Sequence, residues 1–126
     1  MPTGLENLKI YTMAKDLELR VHAALKQFPV EEKFRSVDQI SRSSSSVTNN
    51  IAEAYYKRLL KNKEYTLRDV VIGELEETRT NLLRCGEKKF LNEKAAKEIA
   101  GGYDSLRMAI FGYLRFLRNY KNSSTV

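Results

Sequence analysis

The last third of the chain carries Ile99, Tyr103, Leu106, Ile110, Tyr113, Leu117 and Tyr120, apolar residues spaced alternately by four and three over three heptads. That rhythm puts all seven on one stripe of a helix and is the packing pattern of helix bundles. A long helix with a single apolar stripe needs other helices to cover it. The rest of the chain supplies them. Ile10, Ala14, Leu17, Val21, Ala24 and Phe28 repeat the spacing before Pro29. Val37, Ile40, Ser44, Val47, Ile51 and Ala54 do so again, as do Val71, Leu75, Thr78, Leu82 and Cys85. Only two prolines and six glycines occur in 126 residues, and most of them punctuate the pattern rather than interrupt it. No stretch alternates apolar and polar residues as a strand would.

These stripes predict an all-α chain, a single-domain antiparallel up-down-up-down four-helix bundle over residues 1–126, with helices over about 8–28, 32–58, 63–86 and 93–120. A polar, frayed tail is expected over 122–126. Asn62 and Asn92 stand where they can cap the third and fourth helices, with Glu64 and Glu93 in the first turns. The Gly101-Gly102 pair reads as a break or kink at the start of the last helix. Four consecutive serines, Ser43 to Ser46, are weak helix formers inside the second helix. They read either as a close-packed crossing or slightly frayed turn, or as a phosphate-contacting hydroxyl patch beside Arg42.

Catalysis would leave a trace that is missing. The single histidine, His22, cannot assemble the paired Glu-x-x-His sites of di-metal bundles. No nucleophile elbow, phosphate-cradling loop or dinucleotide fingerprint occurs. Glu53, Glu74 and Glu77, with Arg42, Arg58 and Arg79 available, read as ion pairs. His22 reads as a half-buried residue flanking the core, and Cys85 as a small buried hydrophobe. The expectation is a protein that is not an enzyme, has no cofactor or metal, does not span a membrane and works in the cytoplasm.

The 22 Lys and Arg against 16 Asp and Glu give a formal net charge of +6, which favours a polyanionic partner. Lys57-Arg58-Leu59-Leu60-Lys61-Asn62-Lys63 holds four cations and no acid at a bundle end. On the last helix Arg107, Arg115, Arg118 and Lys121 fall within roughly a third of the circumference, with Phe111 among them and no acid after Asp104. Cations interleaved with an aromatic suit phosphates and unpaired bases. Arg42, Lys57, Arg58, Lys61, Lys63, Arg107, Phe111, Arg115, Arg118 and Lys121 are therefore the candidate nucleic-acid-binding residues. Two readings stand side by side: an accessory protein that binds RNA or an RNA–DNA hybrid, or a protein-interaction subunit that buries Met108, Phe111 and Phe116 against its partner.

Asn50-Ile51-Ala52-Glu53-Ala54-Tyr55, preceded by Gln39 and Arg42, resembles the N-I-A-E-G-Y core of the four-helix-bundle family of 23S rRNA intervening-sequence proteins. Leu8-Lys9-Ile10-Tyr11, the Phe28-Pro29-x-Glu31-Glu32-x-Phe34 joint and Gly73-x-Leu75-x-Glu77-Thr78 are similar to further stretches of that family. The resemblance implies a closed bundle without catalytic activity, often a ring-like homopentamer. It extends to a relative, the accessory variability determinant of diversity-generating retroelements, and so implies nucleic acid, RNA ahead of duplex DNA, and a reverse transcriptase as partners. Asn50, Glu53 and Arg58 match family positions and are expected to organise the end of the second helix. Ala54 and Tyr56 depart from the usual glycines, and the joint between the second and third helices is longer by a residue or two.

Overall fold

The computed structural model describes residues 4–124, with side-chain burial given for residues 4–120. The chain is all-α, built from four long helices. These are α1 (Lys9–Leu25), α2 (Ser36–Tyr56), a rod over 60–87, and α5 (Glu93–Ser124). The rod consists of α3 (Leu60–Tyr65), a π turn (Thr66–Val71) and α4 (Ile72–Glu87). A π turn accommodates one residue more than α-helical register allows. It lets Thr66, Leu67 and Val71 all reach the core before α4 resumes with Leu75. No strand occurs among the described residues.

Each long helix packs on two others: α1 on α2 and α5, and α4 on α2 and α5. Named contacts order them. Gly86 faces Ala96, Glu76 meets Arg107, and Glu64 meets Arg118. Between α2 and the rod, Ser43 meets Thr78 while the carbonyls of Ala54 and Tyr55 meet Lys63. The sequence stripes line this core. All six residues read on the first helix are buried, as are all five on the third, and every one on the second except half-buried Val37. Cys85 is buried as expected, and burial pushes its thiol pKa up.

Several expectations are corrected. The α1 and α2 ends fall at Leu25 and Ser36, because Phe28 and Pro29 lead into a short 3-10 turn, Val30–Glu32, instead of extending either helix. The helix expected over 63–86 begins at Leu60. Asn62 lies inside α3 and caps nothing, whereas Asn92 does cap α5, its Oδ1 accepting the Ala95 N–H at 2.9 Å. Gly101 and Gly102 do not break α5, which runs through them. Gly102 instead permits a close approach, since a Cβ there would sit 2.5 Å from Leu17 Cδ2 of α1. His22 is exposed, not half-buried. The last helix continues to Ser124 where a frayed tail was expected from 122, and residues 125–126 of that tail lie outside the described ones.

The seam of α5 also drifts. Ile99, Tyr103, Leu106 and Ile110 are buried, but the next buried residue is Leu114, and Tyr120 is 67% exposed. A straight helix slips by about 20° per heptad against a 4-3 pattern, so the stripe leaves the core toward the end of a helix 32 residues long.

Candidate nucleic-acid interface

The serine run belongs to the interior. Ser43 and Ser44 are buried, Thr78 Oγ1 donates to Ser43 Oγ across the α2–α4 contact at 2.7 Å, and Ser45 donates to Glu18 of α1 at 2.9 Å. Small side chains let three helices meet there; the Ser43 and Ser44 hydroxyls also donate to the Ile40 and Ser41 carbonyls of their own helix. This is the close-packed crossing, and the Ser43, Ser44 and Ser45 hydroxyls are engaged within the fold. Arg42 stands nearby, well exposed, on Asp38 of its own helix at 3.2 Å.

The stripe on α5 is largely neutralised. Arg107 reaches Glu76 at 3.3 Å and Asp104 at 3.7 Å, and Arg79 joins the same acids from α4. Arg118 forks onto Glu64 of α3 at 2.7 and 3.1 Å. That bond, and the charge behind it, raise the Arg118 pKa. No acid follows Asp104 within α5, but the neighbouring rod supplies Glu76 and Glu64. Phe111 is half-buried against the core with Arg68 over its ring at 5.9 Å, so its face is not an open platform. Arg115 is exposed and makes no ion pair among the described residues. The Lys121 side chain lies outside the described residues.

The joint between α2 and α3 divides in the same way. Lys63 Nζ donates to the carbonyl oxygens of Ala54 at 3.2 Å and Tyr55 at 2.7 Å, at the C-terminal end of α2. A cation there satisfies carbonyls that the helix leaves open and lies at the negative end of its dipole. Burial lowers the Lys63 pKa. Lys63 is thus a helix cap, and we expect Lys63→Met to destabilise the fold by about 1–2 kcal/mol, which urea unfolding checks. Lys57 leans on Glu53 of its own helix at 3.6 Å, and Asn50 bonds back to the Ser46 carbonyl at 2.9 Å. Both contacts join residues four apart along α2 and its C-cap. Arg58 and Lys61 are exposed and make no ion pair among the described residues.

The free cations of the candidate set are thus Arg58, Lys61 and Arg115, on the joint and the outer part of α5. The bundle end around them is rich in exposed rings. Tyr56, Tyr65, Phe116 and Tyr120 are each more than half exposed, and Leu59 joins them. Of these rings, sequence reasoning read Phe116 as a protein-interface residue and counted Tyr120 into the core, and it did not single out Tyr56 and Tyr65. Tyr56, Lys57, Arg58, Leu59 and Asn62 line a shallow depression at the joint. Among the described residues no cluster of His, Cys, Asp and Glu could hold a metal ion, and no helix is long and apolar enough to cross a membrane. Glu74 sits partly buried with Glu77 nearby, and burial first, then Glu77, raises its pKa.

The family model for the 23S rRNA-intervening sequence protein matches residues 6–112. No curated protein matches the chain.

Proposed function

The chain belongs to the family of 23S rRNA-intervening sequence proteins, and on that premise we propose that it is a non-enzymatic accessory protein that binds RNA through the basic end of its bundle. The observation that carries this reading is that, of the candidate residues at the α2–α3 joint and on the outer part of α5, Arg58, Lys61 and Arg115 are exposed and have no acidic partner among the described residues, in a chain of net charge +6. Phosphates engage such cations without sequence information and release counterions as they do. Buried or paired cations contribute little of this, and that removes Lys63, Arg107 and Arg118 from the contact set.

In this reading the helices form an antiparallel up-down-up-down bundle. The paired contacts support it, because the partner numbers fall along the rod as they rise along α5: 86 with 96, 76 with 107, 64 with 118. A ring-like homo-oligomer would repeat the basic end around an axis and multiply weak phosphate contacts into useful affinity. The protein would act in the cytoplasm, where RNA ahead of duplex DNA is its ligand, and where a reverse transcriptase bound to the same RNA is a fitting neighbour.

Titration against a fluorescent structured RNA and a duplex DNA at two salt concentrations, with light scattering on the same sample, tests the proposal. The expected result is binding by a closed oligomer that weakens with salt, with a slope of roughly −0.7 to −0.9 in log K per phosphate contact. Absence of binding at low salt overturns it and leaves the protein-partner reading.

A further inference from the structure

The aromatic residues at the basic end are not scattered. Tyr113, Phe116 and Tyr120 lie three and four residues apart on α5, with ring centroids 6.3 Å apart and 21° between planes for the first pair, and 6.1 Å and 34° for the second. Tyr55 and Tyr56, at the end of α2, meet edge to face at 5.0 Å. The two groups adjoin. Burial raises the Tyr113 hydroxyl pKa, and the nearby Tyr55 hydroxyl raises it further. The Arg118–Glu64 fork and the Arg68 guanidinium over Phe111 hold α5 alongside the rod. In the row from Tyr56 to Tyr120, Tyr56, Phe116 and Tyr120 are 68%, 58% and 67% exposed, while Tyr55 and Tyr113 between them are half-buried.

Rings this exposed need an occupant, and the charges beside them select it. Arg58 and Lys61 follow Tyr56 by two and five residues in the joint, and Arg115 precedes Phe116 on α5, each exposed and without an acidic partner among the described residues. The carboxylates closest in sequence, Glu53 and Glu64, already face Lys57 and Arg118. A row of ring faces with cations along it matches a strand that offers bases on one side and phosphates on the other. A duplex offers phosphates only, because its bases are stacked on each other. A second copy packed on this face about a two-fold axis would bring the same cations against these.

We infer that the ring row from Tyr56 to Tyr120 is a stacking platform for unpaired bases, so that the protein prefers single-stranded RNA over paired RNA. This rests on the RNA-binding reading above and adds the ligand's strandedness and the residues that sense it.

The test compares a labelled oligouridylate with an RNA hairpin of equal length, using the full-length protein and its Phe116→Ala/Tyr120→Ala variant. Both side chains are exposed, so the variant should keep its helical circular dichroism and its light-scattering mass. Oligouridylate affinity is expected to fall about tenfold for each ring removed, while hairpin affinity stays within about twofold. Phe116→Tyr/Tyr120→Phe, which keeps both ring faces, should bind the oligouridylate as the unaltered protein does. Equal losses on both RNAs, or no loss on the oligouridylate, overturn the platform while leaving RNA binding standing. A variant that scatters as a smaller assembly also overturns it, since the rings would then be covered by a second copy. Failure of the unaltered protein to bind either RNA at low salt removes the RNA-binding reading itself.

Discussion

Replacing Arg58, Lys61 and Arg115 together by alanine is expected to weaken RNA binding on the order of a hundredfold near 0.1 M salt and to flatten the salt dependence by about two units of slope. Each cation that neutralises a phosphate contributes roughly 0.7–0.9 to that slope, which is about fivefold in affinity per contact at this ionic strength relative to 1 M. All three side chains are exposed, so the fold should survive and the loss be one of binding. The paired change Arg107→Ala with Arg118→Ala removes nearly as much charge, yet it should cost much less. Arg107 already faces Glu76 and Asp104, and Arg118 is forked on Glu64, so a phosphate must displace a carboxylate to reach either. If the paired variant loses the greater affinity and the triple variant little, the contact surface is the α5 stripe and the bundle-end assignment is wrong.

Leu75→Ala is expected to lower the unfolding free energy by about 2–5 kcal/mol, the usual range for a leucine truncated in a packed core. Leu75 is fully buried at the start of α4, one turn after Val71 and one before Thr78, both also fully buried. At that level α4 packs between α2 and α5, and two helices of the bundle would lose contact with the missing methyl groups at once. For a domain of this size each kcal/mol corresponds to roughly 3–6 °C in melting temperature, so a fall of about 10–20 °C follows. Met108→Ala serves as the contrast, since a side chain 71% exposed should change stability by less than about 0.5 kcal/mol. A loss below about 1 kcal/mol for Leu75→Ala would place that side chain outside the core. Both variants are read by urea or thermal unfolding followed by circular dichroism.

The fold was legible because burial on a helix repeats with the helix. Three stripes written in the sequence reappear nearly residue for residue as buried side chains, from Ile10 to Phe28, from Ile40 to Ala54 and from Val71 to Cys85. Where reading failed, the cause was geometric. The fourth stripe was extended to Tyr120, whereas the seam of α5 passes from Ile110 to Leu114 and leaves Tyr113 and Leu117 half-buried and Tyr120 exposed. The π turn left no mark that a count of threes and fours could register.

The candidate site was less legible than the core. Ten residues were singled out by charge or ring; apart from Lys121, whose side chain lies outside the described residues, they divide into free, paired and structural, and several of the deciding contacts join distant positions. Glu64 and Arg118 are 54 residues apart, Glu76 and Arg107 31 apart, and Lys63 caps a helix that ended before its own began. Charge is a property of each side chain, so the sequence by itself determined that the molecule is basic and that its cations crowd the α2–α3 joint and α5. Periodicity is a property of each helix, so it also determined which faces are buried and that helices must meet. Which cation faces an acid depends on how helices from different parts of the chain are brought side by side. Only the tertiary structure decided that Arg58, Lys61 and Arg115 are exposed without an acidic partner among the described residues while Lys63, Arg107 and Arg118 are occupied within the fold.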